Sequence, residues 1–525
     1  MSASRASPAG ARRPCSGWSR RPPKTCGAQL TGLAPNNQAA KAMREGAGIP
    51  SQTIEQWLSR TESALAEGGA RAAEHKAAWA GRTVLVDESS MQSNAQADRL
   101  MKASEALGLA RMIYIGDERQ LGSPEAGAPC RLALGSGLQH AQMTEIIRQR
   151  DPVLLAAVTH MARGDITNAI RGLGDRVVAV GANATDIDLA KAAVVAWSDY
   201  RTTRGTAPAV IVPTNALRAE VGQMIRSDLI ASGELGQVRE VPTLRQIRMT
   251  SAEAAKAACY TEGQVLVFHT GNKAAGIGRG SELTVVGRDE NRNTLVLDDG
   301  KGTKRVLDLN AKRRGGRQAH DAYRESKLEV RDGDRMVWDK LDKTLGVRVG
   351  ESFTVEKMDK AGWTIRTEDG QTRTVPASGP MLRFVSYGYA ETADRSQAST
   401  YKDVVGVLSS KHGEAATESR AYVMMSRSAE NLTFITNDPK LLVIKLSKQT
   451  GLNAIASHEL AGMVSDISGK NGLAALVDDS LGGSKTEKPG AESVLQSAGA
   501  YPEKADDKAF EKAHQPASPT QVHSL

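Results

Sequence analysis

The 525-residue sequence is poor in aromatic side chains and in cysteine. Aromatic residues make up only 4% of the chain, which leaves few rings on which nucleic-acid bases could stack. The four cysteines, Cys15, Cys26, Cys130 and Cys259, are scattered and form no CxxC pair. This pattern argues against a zinc site and against a disulfide scaffold, and it suits a reducing cytosol. We therefore expect a cytoplasmic protein.

Long apolar runs are absent as well. No run approaches the ~18–20 residues of a membrane-spanning helix, so we expect no membrane insertion. The chain is 40% hydrophobic, which is enough for large buried cores. Its length allows roughly three or four domains. A formal net charge of +8 permits a polyanionic partner without establishing one.

Acidic residues are missing from the N-terminal segment, where the first is Glu45. Residues 1–29 are rich in Arg and Pro and show neither helical nor strand periodicity. An organelle transit peptide is one interpretation, and a disordered basic arm is another. A secretory signal peptide is excluded because its apolar core is missing.

From about residue 30 the sequence has an α/β pattern. LTGLAP (30–35), TVLVDE (83–88) and RMIYIGD (111–117) are short apolar strands, with helical spacing between them. Strands that alternate with helices predict a parallel sheet covered on both faces. A helix is expected over residues 158–173. A second α/β block opens at PAVIVPTN (208–215).

Residues 262–378 differ, because apolar and polar residues alternate there. They contain an internal repeat in which 263–300 matches 333–370 at a constant offset of 70. Phe268 aligns with Trp338, and an Asp-Gly pair, which is a hairpin signal, ends each copy. The pattern predicts two small antiparallel barrels. The α/β pattern resumes after them, with further strands that include AYVMMSR and LTFITND.

Two predicted strands of the first block end in chemically useful side chains. Asp87 and Glu88 follow VLV, and such a pair can ligate a magnesium-bound water and polarise an attacking water. Gln120, in IGDERQL, can reach a γ-phosphate across a cleft. Each pattern is weak alone, because strand ends are commonly polar.

Arginines supply a second set of candidates. In TEIIRQRDP (144–152), Arg148 or Arg150 can bind phosphate through a bidentate fork, although a surface arginine is the default interpretation. Arg427 follows the predicted strand AYVMMS and can act as an arginine finger on a transferring phosphoryl group.

In this order the motifs resemble the ATPase motifs of superfamily 1 helicases. The similarity is greatest to the RecD-like helicase half of conjugative relaxase–helicases of the MobF/TraI type, and it covers about residues 30–440. The segments that carry it are LTGLAPNNQAAKAM, TIEQWL, VLVDESSM, IGDERQLGSPEAGAPCRL, TEIIRQ, VIVPTNALRAEVGQMIR, GDRMVW, SYGYAETADRSQAST and AYVMMSRS.

The resemblance implies an α/β fold with two RecA-like lobes that close on ATP and Mg²⁺. Asp87 and Glu88 would be the magnesium and catalytic acids, and Gln120 would sense the γ-phosphate. Arg148 and Arg427 would contact phosphate from opposite sides of the cleft. The implied activity is 5′-to-3′ movement along single-stranded DNA in conjugative plasmid transfer, with a relaxase and the transfer machinery as further partners.

The resemblance also implies a path for single-stranded DNA. The residues along it would be Pro35, Asn36, Thr53, Thr214, Asn215, Gln397 and Thr400. Trp57 and Trp338 are candidates for stacking on bases, although a buried position is favoured by roughly two to one because large aromatic side chains are mostly buried.

The predicted organisation has six parts. They are an atypical N-terminus (1–29), a first RecA-like lobe with a helical connector (30–205), the start of a second lobe (206–261), inserted tandem small β-barrels (262–380), the remainder of the second lobe (381–445), and a weak helix with a disordered tail (446–525).

The phosphate-binding pattern GxxxxGK[ST] occurs nowhere before Asp87 and Glu88. Lys24-Thr25 lacks the upstream glycine spacing, and Pro22-Pro23 would break the start of the helix. SPAG (7–10) resembles the beginning of the loop GPAGTGKT of this helicase branch. We therefore expect a frame error or a truncation in this segment, which the nucleotide sequence would test.

Milder departures concern the later motifs. Asp394 stands where the branch commonly has His, Ala398 where it has Gly, and Asn36 where it has Thr. The nine histidines include no His-x-His pair, so no strand-nicking metal site is assigned. Two alternatives to an active motor stay open. One is a remnant that binds single-stranded DNA or transfer partners without hydrolysing ATP, and the other is a pseudogene product without a stable first domain.

Overall fold

The computed structural model describes residues 2–6, 30–122, 127–143, 145–247, 249–310, 319–342, 345–377, 379–397 and 399–451. For residues 2–6 only the backbone path is described. All of these residues fall in one compact unit, which ends at Ile455. The predicted disordered tail lies outside the described residues, as do Lys24, Thr25 and Ala398.

The first lobe is built on six strands. They are β1 (Ser2–Ala6), β2 (Leu30–Ala34), β3 (Ser51–Thr53), β4 (Thr83–Val86), β5 (Arg111–Gly116) and β6 (His140–Met143). The strands are all parallel and pair in the order β3-β2-β4-β5-β1-β6. The helices of this lobe are α1 (Asn37–Ala47), α2 (Ile54–Glu67), α3 (Gly69–Trp79), α4 (Asn94–Leu107) and α5 (Pro129–Gly135).

Strand β1 was not expected, because residues 1–29 have no strand periodicity. In the structure Ser4 pairs with Ile115 of β5 on one side and with Ala141 of β6 on the other. Both hydrogen-bonding edges of β1 are therefore satisfied, so a strand of small residues needs no hydrophobic alternation. The first parallel sheet thus includes a strand that precedes residue 30, where the first lobe is predicted to begin.

A connector leads into the second lobe. Its elements are α6 (Pro152–Ala162), α7 (Ile166–Gly172), β7 (Val177–Ala179), α8 (Asp186–Arg204), β8 (Ala209–Val212) and α9 (Asn215–Ala231). The single helix predicted over 158–173 is two helices. Gly164 has a φ of +81°, which ends α6, and the Asp165 side chain caps α7.

The inserted segment consists of antiparallel strands and one short helix. These are β9 (Val238–Ile247), α10 (Ser251–Ala254), β10 (Val265–Phe268), β11 (Glu282–Asp289), β12 (Thr294–Asp298), β13 (Lys304–Asp308), β14 (His320–Arg331), β15 (Arg335–Trp338), β16 (Ser352–Met358), β17 (Gly362–Thr367), β18 (Thr372–Pro376) and β19 (Val385–Tyr387). They form a six-stranded sheet, β13-β12-β11-β10-β14-β9, and a five-stranded sheet, β18-β17-β16-β15-β19.

The sequence repeat is also a structural repeat. A β-bulge follows Val285 in the first sheet and Val355 in the second, 70 residues later. An isolated β-bridge occurs at Asn272 and again at Asp342, at the same offset. Because bulges are specific local features of a strand pair, their equal placement confirms that the two sheets are copies of one module.

The second lobe is completed by β20 (Glu391–Thr392), α11 (Ala393–Ser396), β21 (Tyr401–Val407), α12 (Glu418–Ser426), β22 (Ser428–Thr436) and α13 (Pro439–Lys448). Its parallel sheet has the order β20-β8-β21-β22-β7. The mixed α/β architecture with two parallel sheets and inserted antiparallel modules confirms the predicted fold class. Of the described helices, none has the length and apolar character needed to cross a bilayer.

The prediction that AYVMMSR forms a strand is wrong. The segment lies in α12, whose first turn is capped by the Thr417 side chain. Residues Ala421 to Ser426 are all buried. A helix that is buried on every side shows no apolar stripe, so its period cannot be separated from that of a buried strand.

Candidate functional site

Two adjacent acids lie at the carboxyl edge of the first sheet. Asp87 follows β4, is fully buried, and donates its backbone N–H to the Leu33 carbonyl at 2.8 Å. Glu88 has a φ of +48°, which is uncommon for a residue other than glycine, and donates its N–H to Asp87 Oδ1 at 3.0 Å. This turn leads directly into a 3₁₀ turn over Ser89–Met91. The backbone is strained where the predicted catalytic acid lies, as is common at functional sites.

Asp117 follows the neighbouring strand β5 and adds a third carboxylate. The pKa of Asp117 is raised to about 7, chiefly by burial, with the negative charge of Glu88 adding to the rise and the hydrogen bond from the Arg119 N–H opposing it. That N–H donates to Asp117 Oδ1 at 2.9 Å. Because β4 and β5 are adjacent parallel strands, their carboxyl ends bring these acids together at one edge.

Arg427 brings a positive charge from the second lobe to the same place. Its side chain is 1% exposed, and its Nη2 donates to Gln120 Oε1 at 3.4 Å. Burial lowers the pKa of Arg427, and the charge of Glu88 is the largest opposing influence. The structure therefore brings three of the predicted catalytic residues, Glu88, Gln120 and Arg427, into one neighbourhood.

Two side chains just before α6 hydrogen-bond to the backbone carbonyls on both sides of Arg427, which we call the clamp. Arg148 Nη1 donates to the Ser426 carbonyl at 2.7 Å. Gln149 Nε2 donates to the Ser426 carbonyl at 3.1 Å and to the Ser428 carbonyl at 2.7 Å. Arg148 thus contacts the residue that precedes Arg427, whereas the resemblance placed the two arginines on opposite sides of the cleft. Gln149 was missed, since nothing in the sequence distinguishes it from a surface glutamine between two arginines.

Three further contacts join the two lobes. Arg119 Nη1 lies 2.8 Å from Glu418 Oε1, and the Tyr422 hydroxyl donates to Asp117 Oδ2 at 3.2 Å. On α1, Gln38 Nε2 donates to the Ser399 hydroxyl at 2.6 Å. The lobes therefore meet both at the carboxylates and at the segment that contains the predicted DNA contact Thr400.

Three of the predicted DNA contacts are helix caps. The side chains of Asn36, Thr53 and Thr214 accept a hydrogen bond from the backbone N–H three residues on, at 2.8, 3.2 and 3.2 Å. Each cap lies between a parallel strand and the following helix. Each side-chain oxygen thus accepts from the backbone, and the amino end of the capped helix is a favourable place for a polyanion.

The other predicted DNA contacts differ in exposure. Pro35 is partly buried, whereas Asn215 and Thr400 are exposed. Gln397 is only 2% exposed, and among the described residues neither its Oε1 nor its Nε2 has a hydrogen-bond partner. Burying an amide without hydrogen-bond partners costs free energy, so a bound ligand that reached Gln397 would gain a hydrogen bond from it.

The two tryptophans considered for base stacking belong to cores. Trp57 and Trp338 are each 1% exposed. Trp57 packs edge-on against Trp79 with ring centroids 5.5 Å apart, and Trp338 stacks on Phe353 at 4.4 Å. The buried interpretation is therefore confirmed for both.

The side chains at this edge of the first sheet suit a magnesium ion better than they suit phosphate groups. Magnesium is commonly held by one or two carboxylates together with substrate phosphates and water, and the adjacent acids Asp87 and Glu88 suit that role. Within the described part of the chain no three side chains form a metal-binding cluster. Arg5 of β1 pairs with Gly116 of β5, so the carboxyl end of β1 lies at this same edge. Residues 7–29, where a phosphate loop would follow, lie outside the described residues.

Two domain families match the chain. One, described as an AAA domain, matches residues 20–180. The other, described as the DNA relaxase TraI 2B/2B-like domain, matches residues 243–330 and so covers most of the first antiparallel module. The chain thus matches an AAA domain together with a module named after a conjugative relaxase.

Two curated relatives are conjugal transfer proteins. The "Conjugal transfer protein TraA" of Rhizobium radiobacter is 25% identical over 285 residues, which are 54% of this chain and 23% of the relative. The "Probable conjugal transfer protein TraA" of Sinorhizobium fredii (strain NBRC 101917 / NGR234) is 27% identical over 147 residues, 28% of this chain and 12% of the relative. The chain thus spans less than a quarter of the length of either.

Solved structures of Pif1 helicases also align. Bacteroides Pif1 bound to ssDNA has a TM-score of 0.41 at 12% identity and covers 79% of this chain and 85% of its own. Candida albicans Pif1 has a TM-score of 0.35 at 12% identity, with coverages of 79% and 87%. The domain pair and the TraA relatives confirm the resemblance to the helicase half of conjugative relaxase–helicases.

Proposed function

We propose that the chain carries the helicase region of a conjugative relaxase–helicase and is an ATP-driven translocase on single-stranded DNA, as the two matching domain families and the TraA relatives support. It moves 5′ to 3′ during conjugative transfer, in the cytoplasm. The observation that carries the proposal is the hydrogen bond between Arg427 and Gln120 across the lobes, beside Glu88. An arginine from one lobe and acids from the other are what phosphoryl transfer at a lobe interface requires.

Each residue of the site has a role in this proposal. Asp87 would hold magnesium, which supplies charge neutralisation on the phosphates when it is bound. Glu88 orients the attacking water and holds its proton, and Gln120 senses the γ-phosphate. Arg427 stabilises the charge that develops on the transferring group, and Arg148 supports it from the adjacent backbone.

Single-stranded DNA would run along the carboxyl edges of both parallel sheets. The capped amino ends of α1, α2 and α9 present backbone N–H groups there, which suit phosphate oxygens. The Gln38–Ser399 hydrogen bond brings the α1 end close to the segment of Gln397 and Thr400. With few exposed aromatic rings, the contacts would be mainly to the sugar–phosphate backbone.

The pairing of the strands into sheets supports a proposal for the lobe boundaries. We propose a first lobe over 2–143, a connector and the start of the second lobe over 145–231, tandem antiparallel modules over 238–387, and the rest of the second lobe over 391–448. A relaxase and the transfer machinery would be the partners, because the relatives are conjugal transfer proteins.

The second candidate is a remnant that binds DNA but does not hydrolyse ATP. One specific observation favours it. The segment directly after β1, which begins at the site edge, reads SPAGARRPC and lacks the GxxxxGK[ST] pattern. Without the lysine and the glycine-rich amides of that loop, no residue is assigned the role of cradling the β- and γ-phosphates.

The deciding experiment is ATP hydrolysis by the purified chain with and without single-stranded DNA. Glu88→Gln is the test variant, and Glu74→Gln, at an exposed acid on α3, is its matched control. DNA-stimulated turnover that is lost only in Glu88→Gln supports the motor. DNA binding without any turnover supports the remnant. Unwinding of duplexes with a 5′ or a 3′ single-stranded tail then decides the direction of movement.

A further inference from the structure

One loop of the first lobe and one helix of the second form a ladder of three contacts. The loop is residues 117–120, and the helix is α12 with its C-cap Arg427. The rungs are Arg119–Glu418 at 2.8 Å, Asp117–Tyr422 at 3.2 Å and Gln120–Arg427 at 3.4 Å. Only the last rung belongs to the proposed catalytic set, so the first two have no assigned role.

The first two rungs lie on one face of α12. Glu418 and Tyr422 are four residues apart, so their side chains project from the same side one turn apart. Arg427 caps the end of this helix, roughly 13 Å along its axis from Glu418. Because a helix moves as a rigid rod, contacts at its first two turns determine where its last residue lies.

A glycine in the connector provides the space that the Arg119 guanidinium occupies. Gly164, between α6 and α7, has a φ of +81°. A Cβ atom at Gly164 would lie 2.7 Å from Arg119 Nη1. Any larger residue at position 164 would place its Cβ against the guanidinium that contacts Glu418, and the positive φ also favours glycine there.

The Arg119–Glu418 pair is partly shielded from water. The Glu418 side chain is 11% exposed and the Arg119 side chain 41%. An ion pair with one shielded partner holds its geometry better than an exposed pair, and removing one member leaves the other poorly solvated.

We propose that Arg119–Glu418 and Asp117–Tyr422 form an interlobe latch that holds the lobes closed and positions Arg427 against Gln120. The role of the latch in hydrolysis rests on the proposed function, whereas its role in closure does not. Arg119, Glu418 and Tyr422 are positioning residues, because they act through α12. Opening of the lobes after hydrolysis must then break both rungs.

The test measures closure on the full chain without nucleotide. Gln38→Cys and Ser399→Cys place two thiols where the lobes meet on the α1 side, and a short bismaleimide links them. The 38–399 crosslinked peptide is quantified by mass spectrometry, which separates it from products of the native cysteines. We expect Glu418→Gln and Tyr422→Phe each to slow crosslinking about two- to fivefold, as the loss of a partly shielded polar contact implies.

Two further variants keep the test independent of folding. Glu234→Gln breaks the Arg201–Glu234 pair inside the second lobe and should leave the crosslinking rate unchanged. The charge swap Arg119→Glu with Glu418→Arg should restore the rate lost in Glu418→Gln, which a general loss of stability cannot do. Unchanged crosslinking in both Glu418→Gln and Tyr422→Phe, or no recovery in the charge swap, would overturn the latch.

ATP turnover separates the latch from the proposed function. If the wild-type chain hydrolyses ATP, the latch variants should lower kcat while leaving KM for ATP within about twofold, because the displaced finger acts mainly in the transition state. Slower crosslinking with an unchanged kcat would overturn the positioning role. If the wild type does not hydrolyse ATP, the proposed motor fails, and the crosslinking rates alone decide whether the lobes are latched.

Discussion

Arg427 Nη2 and Gln120 Oε1 lie 3.4 Å apart, although 307 positions separate them in the chain. The contact joins the end of α12 in the second lobe to the loop after β5 in the first. Each residue is at most 3% exposed, so neither is explained as a solvated surface group. Their meeting is the direct structural link between the two sets of motifs recognised in the sequence.

Substitution of Arg427 tests the arginine finger. We expect Arg427→Lys to lower DNA-stimulated ATP turnover by roughly 10³-fold, because lysine cannot reproduce the planar guanidinium at a transferring phosphoryl group. Phosphate release measures the effect. Arg420→Lys, on the same helix, is the control and should remain within about twofold of wild type. Equal losses in both variants would mean that disturbance of α12, rather than the finger, is responsible.

Gln149 should be needed for both stability and turnover. Gln149→Leu removes the amide that donates to the Ser428 carbonyl and one of the two side-chain donors to the Ser426 carbonyl, which keeps its bond from Arg148. We expect a loss of about 1–3 kcal/mol in the free energy of unfolding, measured with urea, together with lower turnover. Gln223→Leu, at an exposed position of α9, is the matched control. Wild-type stability in Gln149→Leu would show that the clamp contributes nothing.

A buried ion pair attaches the antiparallel modules to the second lobe. Asp334 is fully buried, and its Oδ1 accepts from Arg226 Nε at 2.9 Å and from the Tyr389 hydroxyl at 2.7 Å. Asp334→Asn leaves the Arg226 charge without its partner, and we expect a loss of about 3–5 kcal/mol in the free energy of unfolding.

The second acid near Arg226 supplies the control for that experiment. Glu329 lies 4.0 Å from Arg226 Nη1 and its side chain is 62% exposed. Glu329→Gln should change the free energy of unfolding by no more than about 0.5 kcal/mol, since exposed pairs contribute little. A similar loss in the free energy of unfolding for Asp334→Asn and Glu329→Gln would show that burial does not make the Arg226–Asp334 pair stronger than an exposed pair.

The two core tryptophans should matter for stability and not for DNA. Trp338→Ala should lower the free energy of unfolding by about 3–5 kcal/mol, because it removes a buried ring stacked on Phe353. Trp57→Phe keeps a ring in its core and should leave the dissociation constant for single-stranded DNA unchanged, as measured by fluorescence anisotropy. Weaker DNA binding by a folded Trp57→Phe variant would revive the stacking role.

Glu391 should make stability depend on pH near neutrality. Burial raises the pKa of Glu391 to about 7, with the hydrogen bond from Tyr401 as the largest opposing influence. The folded state therefore holds a proton that the unfolded chain releases near pH 4, so this contribution to stability is lost as the pH rises through about 4 to 7. Glu391→Gln should gain stability relative to wild type between pH 5 and pH 8.

Thermal melts of both proteins at several pH values measure this difference. Because Asp117 also has a raised pKa and titrates in both proteins, only the difference between variant and wild type isolates Glu391. A difference in Tm that stays constant from pH 5 to pH 8 would show that Glu391 ionises at its usual pH in the folded protein.

The local patterns were enough to predict most of the fold. The strands before Asp87 and Asp117 are short apolar runs bounded by polar residues, and this pattern depends only on residues that are neighbours in the chain. The 70-residue repeat likewise predicted two copies of one module, since equal glycine and Asp-Gly positions require equal turns. The candidate site was found from the order of the motifs along the chain.

Other features depend on packing between distant segments. The sequence of α12 carries no visible period because the fold buries the helix on every side, and β1 is a strand because β5 and β6 satisfy both of its edges. Gln149 gains a role only when β22 and α12 bring two carbonyls to its amide. The sequence by itself determined which acids and arginines were candidates. The tertiary structure decided which of them meet, because contacts between lobes are made by residues hundreds of positions apart.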